Sequence, residues 1–440
     1  MNVYGIRCGT LIDGTGKPPI NDAVVIVRNN RIARIEQDPS LIGPELPMID
    51  GRGCTVIPGL IDAHKHVMNC GGSGVGVGLN LSQMKTNLSA ISKSGVTSVL
   101  DLGSAGITPH LEKFLGSSSR IFNAISILTC QGGYPQEYMP KRYYKMGAVI
   151  ECGDLDAIRR SVRKLYKKGV AAIKTAVVSR TFDNKPQKNW TDRELRYLTD
   201  EAHSFGLNVC AHITYVKDYE QAARCGVDSI HHAAFDGVTG QSVLKQMVEK
   251  GIVFVPTLSL SALLLKGLQE KWIFQPGYDP AVNEKVKANM RNFTEAYVNG
   301  KPDEPIGDFF VKLPKAEMER VPAIQLENVK SYVALGGTVA MGTDSALGFS
   351  LHGTPVCEIE LLMKAGLTLA ETIRASTLNS ARVFGMQHEI GSIETSKRAD
   401  ILIIDADLKD NITAIDKIKS VIIDGKIVYG RGAGDEKEQR

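Results

Sequence analysis

Long hydrophobic runs are missing from this 440-residue chain. A membrane-spanning helix needs about 20 consecutive apolar residues, so a membrane protein is not expected. Met1-Asn2-Val3-Tyr4-Gly5 has no charged stretch leading into an apolar one, so no secretory signal is expected. Paired cysteines are missing too. The eight (Cys8, Cys54, Cys70, Cys130, Cys152, Cys210, Cys225, Cys357) are dispersed, with no Cys-x-x-Cys. That excludes a disulfide framework or zinc ribbon and predicts reduced thiols in a cytoplasmic protein. An excess of one charge is absent: 52 Lys and Arg face 48 Asp and Glu, a net +4. The charges are interspersed, so neither a nucleic-acid stripe nor a membrane-binding basic patch is expected. The glycine-rich run Gly71–Gly78 is followed by no Gly-Lys-Ser/Thr, which excludes a phosphate loop; a mobile rim or lid hinge is expected there.

What remains is an ordinary globular composition, 43% hydrophobic and 23% charged, in a chain too long for one core. Both ends read as β. Ala23–Val27 before Asn29-Asn30, Arg31–Ile35, Asp400–Ile404 and Val421–Tyr429 around Asp424-Gly425 have strand and hairpin grammar. Neither end is long enough for its own core, so residues 1–56 together with 386–440 are expected to form one small β-sandwich. Residues 57–385 alternate strands and helices. Eight strand candidates cover 57–64, 96–102, 121–128, 170–177, 207–213, 227–232, 252–258 and 337–343. Helical patterns cover Asp156–Lys168, Asp192–Phe205, Tyr219–Cys225 and Gln241–Lys250, with a capping box at Thr191 and Glu194. The expected class is α/β: a (β/α)8 TIM barrel carrying the terminal sandwich. Long segments at Thr129–Ala148 and near 276–325 are expected to wall or cover the barrel mouth.

Barrel chemistry sits at strand C-termini. Val56–His66 ends in His64-Lys65-His66, and residues i and i+2 of a strand share a face. Two imidazoles on one rigid face start a metal site. Asp62 shares that face and is expected to accept a hydrogen bond from a ligand imidazole. Lys174, His212, His231, His232 and Asp344 fall at other strand ends, so five of the nine histidines lie at such positions. His231 and His232 alternate faces, so only one is expected to reach the mouth. His203 is expected to be structural, and His110 and His388 carry no signal.

Pro58–His66, Ala172-Ile173-Lys174, Glu201-Ala202-His203 leading to Ala211-His212, Gly226–His232, Gly342-Thr343-Asp344 and Ala375–Ala381 together resemble the amidohydrolase superfamily. The resemblance lies with its branch of imidazolonepropionase-like enzymes and metal-dependent Xaa-Pro or Xaa-Arg dipeptidases, and it covers essentially the whole chain. It implies two divalent metal ions, Zn2+ first, with Mn2+, Co2+ or Fe2+ as alternatives. His64 and His66 would bind the more buried ion, and His212 and His232 the second. Lys174 would bridge them as N6-carboxylysine, formed with carbon dioxide. Asp344 would ligate the first ion and exchange the catalytic proton. The chemistry of the residues agrees: an ammonium has no lone pair, but a buried lysine is driven toward the neutral amine that adds carbon dioxide. The family's ligand histidine follows an acidic residue, which selects His232. His231 takes the acidic place and is expected to pack between strand and helix.

The implied function is hydrolysis of an amide-type C–N bond by a hydroxide bridging the metals. The substrate is an N-acyl amino acid or dipeptide, a cyclic amide, a carbamate or a urea. The alternatives are an imidazolonepropionase-like cyclic amidohydrolase or deaminase and, from another class, a catalytically inactive barrel scaffold. Relatives carry Gly-Gly-His after strand three, where this chain has Gly132-Gly133-Tyr134. Tyr134, Tyr215, Arg180 and His352 follow barrel strands and are the candidate substrate contacts. The partner is a small molecule, and a homo-oligomer is expected.

Overall fold

The structure is a computed structural model that describes residues 3–68, 80–103, 114–136, 139, 141–304, 312–345 and 348–430. The Gly71–Gly78 run, His110, residues 305–311 of the long insert and the polar tail after Gly430 lie outside them. The chain opens with β1 (Val3–Leu11), β2 (Ile20–Arg28), β3 (Arg31–Glu36) and β4 (Met48–Pro58). Nine strands follow: β5 (Leu60–Lys65), β6 (Val96–Asp101), β7 (Arg120–Asn123), β8 (Ile127–Cys130), β9 (Val149–Cys152), β10 (Ala172–Ala176), β11 (Asn208–His212), β12 (Ser229–His231) and β13 (Val253–Val255). The chain returns to the first sheet with β14 (Ile401–Ile404), β15 (Ile418–Ile423) and β16 (Lys426–Gly430).

Both ends build one seven-stranded sheet in the order β16-β15-β14-β4-β1-β2-β3. The β1–β4 pair is parallel and β4–β14 antiparallel, so the C-terminal hairpin docks onto the strand that leads into the barrel. The expected sandwich is thus a single continuous sheet. Its alternate residues Ile6, Cys8, Val25, Val27, Ile401, Ile403 and Ile422 share one core. The Tyr4 hydroxyl donates to Gly425 O across it at 2.9 Å. The β15–β16 turn is the expected Asp-Gly hairpin, with Asp424 (φ 50°) and Gly425 (φ 71°) both left-handed.

The barrel strands pair in parallel, β5-β6-β7 and β13-β12-β11-β10-β8. The expected third strand is broken at Ile125 (φ 65°) into β7 and β8. The first half pairs with β6. The second pairs with β10 and also with β9, which none of the eight strand candidates covered. Residues 338–344 close the ring: Phe254 N donates to Thr338 O and Ala340 N to Phe254 O on one side, each at 2.9 Å. On the other side Ala63 N donates to Met341 O at 2.9 Å and Asp344 N to His64 O at 2.8 Å. The parallel strands are apolar on both faces because helices cover the outside. Those helices are the expected ones within a few residues, Leu155–Lys167, Asp192–His203, Val216–Arg224 and Gln241–Glu249. Thr191 and Glu194 make both bonds of the capping box.

The long insert contains the helices Glu284–Asn299 and Lys315–Met318. Val286, Met290, Phe293 and Met318 pack with Tyr134, Phe182, Tyr215, Phe235 and Phe349, all from segments that follow barrel strands. The insert therefore lies over the C-terminal end of the barrel, as expected of a wall.

Candidate metal centre

His64, the penultimate residue of β5, is fully buried, with its Nε2 3.5 Å from Asp344 Oδ1. His66, two residues on, brings Nε2 to 3.4 Å from the same oxygen. One donor atom from each of His64, His66 and Asp344 fits within a 4.8 Å cluster, a His-His-Asp group suited to a metal ion. His232 extends it: its ring centroid is 4.7 Å from that of His64, and its Nδ1 is 3.8 Å from Asp344 Oδ2. His212, at the end of β11, lies 4.4 Å from His232, ring to ring. Lys174 stands on the neighbouring strand β10, paired in register with Cys210, two residues before His212. The structure thus brings together the six candidate ligands, His64, His66, Lys174, His212, His232 and Asp344.

Burial sets their protonation. It pushes His64, His212 and His232 well below the ordinary imidazole range, with the Lys174 ammonium and the neighbouring imidazoles adding to the effect. His66 is lowered to about 4, again chiefly by burial. Burial also lowers Lys174 toward the neutral amine and raises Asp344 toward the neutral acid. Neutral imidazole and amine are the forms with a free lone pair. Lys174 Nζ, His212 Nε2 and His232 Nε2 are buried with no hydrogen-bond partner. A buried orphan nitrogen costs about 1–3 kcal/mol, and three around one focus fit a cationic guest.

The other ring nitrogens are held. His66 Nδ1 is 2.7 Å from Gly103 O and His232 Nδ1 is 2.9 Å from Thr257 Oγ1. Such bonds fix ring orientation and leave Nε2 for a ligand.

Several expectations change. Asp62 takes no imidazole proton. Its Oδ1 accepts from the backbone N of His64 (3.2 Å) and Thr343 (3.0 Å), and its Oδ2 from Lys65 Nζ and Thr343 Oγ1 (2.7 Å each). His231 does not pack between strand and helix. It points inward, with its ring 4.9 Å from that of His64. The alternation rule fails because His232 is left-handed (φ 74°), which returns the second ring to the same cluster. Arg180 Nη1 bonds Asn184 O (2.8 Å) and Oδ1 (3.2 Å) within its own loop. The Tyr215 hydroxyl donates to Thr181 O at 2.6 Å, and its ring packs on Phe235, so it braces the wall. His352 lines a separate cavity of about 330 Å³ with Leu60, Ala90 and Ser94, and Leu60 begins the strand that carries His64. Among the four candidate substrate contacts, Tyr134 touches the centre, stacked on His212 at 4.2 Å.

The sequence reading missed Lys65. It lies between two ligand candidates, buried, with Nζ bonded to Asp62 Oδ2, Thr343 Oγ1 and Ser345 Oγ at 2.7, 2.7 and 3.0 Å. The two hydroxyls flank Asp344. The only local signal is a lysine alternating with histidines in an apolar strand.

A family model described as the amidohydrolase family matches residues 55–428. The imidazolonepropionase of Brevibacillus brevis is 22% identical over 94% of this chain and 91% of its own. A solved Xaa-Pro dipeptidase with methionine in its active site superposes with a TM-score of 0.76 at 22% identity, covering 98% of this chain and all of that one. The ochratoxinase of A. niger gives 0.74 at 18% identity, over 100% and 99% of the two chains. The two structures agree in fold with the barrel and terminal sheet described above. Strand-end histidines, an inward lysine and an aspartate on such a barrel, with a family match across most of its length, lead to one conclusion: the chain belongs to the amidohydrolase family and is a hydrolase of carbon–nitrogen bonds.

Proposed function

We propose that the enzyme is binuclear, with His64, His66 and Asp344 holding one divalent cation, His212 and His232 a second, and Lys174 joining them as N6-carboxylysine. The observation that carries this reading is the set of three orphaned buried nitrogens beside the His-His-Asp group. The neutral Lys174 amine forms an N–C bond to carbon dioxide and loses one proton, giving an anionic carbamate. Zn2+ is the first choice for these donors, and Mn2+, Co2+ or Fe2+ suit them too. Bound there, two cations would acidify a water and polarise the scissile carbonyl. Asp344 would take a proton from the attacking water and hand it to the leaving nitrogen. Its burial-raised carboxyl suits a group that must hold and then release a proton. The Tyr134 ring walls the site against His212.

The substrate class is an N-acyl amino acid or dipeptide, a cyclic amide, a carbamate or a urea. The full-length likeness to imidazolonepropionase supports a cyclic amide as the second reading. Division of the chain into 1–56 with 386–440 and 57–385, a homo-oligomer and a cytoplasmic setting complete the proposal. The seven described cysteines are free thiols, which suits a reducing compartment.

Elemental analysis of wild type and Lys174→Ala, with hydrolysis of a panel of these substrates, tests the reading. The expected result is about two metals per chain falling to one, with most activity lost. One metal, unchanged by the substitution, would refute the bridging lysine.

A further inference from the structure

His66 and His232 have their Nδ1 atoms held by a carbonyl and a hydroxyl. His64 is held differently. Its Nδ1 lies 3.0 Å from Nδ1 of His231, and His231 Nε2 lies 2.9 Å from Ser229 Oγ. Ser229 and His231 sit two apart on β12, so they share its inward face. Both are fully buried.

Donor counting orders the protons. Two imidazole nitrogens at this distance share one hydrogen, so one donates and the other accepts. His64 Nε2 faces Asp344 and must keep its lone pair to act as a ligand. Its hydrogen is then on Nδ1, and His231 Nδ1 accepts it. A neutral His231 therefore carries its own hydrogen on Nε2, where the Ser229 hydroxyl accepts. Ser229 is paired in register with Cys210 on the adjoining strand β11.

We infer that His231 is a positioning residue: an uncharged imidazole that fixes the tautomer and ring angle of His64 for a divalent cation, itself fixed by Ser229. An acidic residue in this place would also accept from His64, but it would add a negative charge beside the ligand. An imidazole adds none, so less of the cation's charge is offset, and a bound cation is held less tightly and attracts electrons more strongly. A residue that merely filled space would need no partner at either nitrogen, whereas His231 has one at both.

The inference rests on His64 being a ligand, as proposed above. Leu and Asn have nearly the same shape, but only Asn offers an acceptor near the position of His231 Nδ1. The experiment measures Zn2+ affinity by competition with a chromophoric chelator for wild type, His231→Leu, His231→Asn and His231→Glu. The Co2+ absorption spectrum is recorded beside it as a signature of ligand geometry. His231→Leu is expected to weaken Zn2+ binding about 10–100-fold and to shift the Co2+ bands. His231→Asn should recover most of that loss, and His231→Glu should bind more tightly than wild type. Equal affinities for wild type and His231→Leu, or equal losses for Leu and Asn, would overturn the inference while leaving the metal centre intact. Failure of wild type to take up Zn2+ would overturn both. Should His231→Leu not fold, Ser229→Ala decides: it leaves the His64 contact in place, a severalfold weaker affinity supports the chain of bonds, and an unchanged affinity refutes it.

Discussion

Replacing Lys65 by methionine should destabilise the enzyme more than any exposed lysine substitution. The Lys65 ammonium and the Asp62 carboxylate are 2.7 Å apart, and their side chains are 2% and 0% exposed. Lys65→Met keeps the length and most of the packing of the stem but leaves Asp62 buried without its counter-charge. Breaking one side of a buried pair costs about 3–5 kcal/mol. At about 2.1 cal/mol/K per residue, a chain of this length has an unfolding entropy near ~0.9 kcal/mol/K. The melting temperature should therefore fall by about 3–5 °C. The double variant Asp62→Asn/Lys65→Met removes both charges. Its amide oxygen still accepts from the backbone N–H of His64 or Thr343, which Asp62 now serves. It should regain at least half of the loss, because the unpaired charge, not the missing hydrogen bond, is the larger cost. Calorimetry of the two variants and wild type at neutral pH reads both effects. A single variant melting within about 1 °C of wild type, or a double variant no more stable than the single, would refute the reasoning. Activity should fall as well, since Lys65 also bonds Thr343 and Ser345 on either side of Asp344.

Three further outcomes follow from the same coordinates. Glu358 is fully buried, with its carboxylate accepting from Leu258 N (3.0 Å) and Ser259 N (2.6 Å), and burial raises its pKa from 4.5 to about 7. Between those values the folded chain holds a proton that the unfolded chain has released, so this group's contribution to stability falls as pH rises through the window and is level above it. Urea unfolding at pH 5 and 8 should show that decline, at most about 3 kcal/mol, and Glu358→Gln should remove it; an unchanged slope would refute the assignment. Gly342→Ala would place a Cβ 2.4 Å from Val255 Cγ1 and 2.8 Å from His64 Cβ, so a loss of about 1–3 kcal/mol and weaker metal binding should appear together in thermal and chelator titrations. Thr257→Val removes the hydroxyl 2.9 Å from His232 Nδ1 while keeping the side-chain shape, and should weaken the second metal about 10-fold or more with little change in melting temperature.

Much of this was legible in the chain. Periodicity placed the barrel strands and their helices, Thr191 and Glu194 announced a helix start, and Asp424-Gly425 announced a hairpin. Histidines two apart at the end of an apolar strand announced the centre. What stayed hidden depends on partners far away in sequence or on backbone angles. Lys65 between two histidines reads as a solvated charge until Thr343 and Ser345, about 280 residues on, close over it. The third barrel strand reads as continuous because nothing in Ala124-Ile125-Ser126 signals a left-handed isoleucine. Arg180 and Tyr215 follow barrel strands and look poised for substrate, yet Arg180 Nη1 bonds Asn184 and the Tyr215 hydroxyl bonds Thr181 O within the surrounding loop. A loop that braces itself cannot be told by position alone from a loop that binds.

The left-handed residues at the strand ends tie fold to chemistry. His232 (φ 74°) and Thr257 (φ 51°) follow β12 and β13, and Asp344 (φ 47°) ends the closing segment. Each costs about 1–3 kcal/mol relative to an unstrained residue, and glycine would relieve it. Glycine would also remove a proposed ligand, a ring clamp or the proposed proton carrier, so the side chain is kept and the surroundings hold the angle. His232 N donates to Val255 O at 2.9 Å, its own carbonyl accepts from the Tyr219 hydroxyl at 2.6 Å, and Asp344 N donates to His64 O at 2.8 Å. Just beyond Thr257, Glu358 takes the next two backbone N–H groups. The turn at His232 is also what lets two consecutive residues serve one centre. In a regular strand His231 and His232 would point apart; here one ring clamps His64 from below while the other faces Asp344. The strain is therefore the geometric condition for placing four imidazoles and a carboxylate around one point, and the buried hydrogen bonds around it are what let the fold sustain that condition.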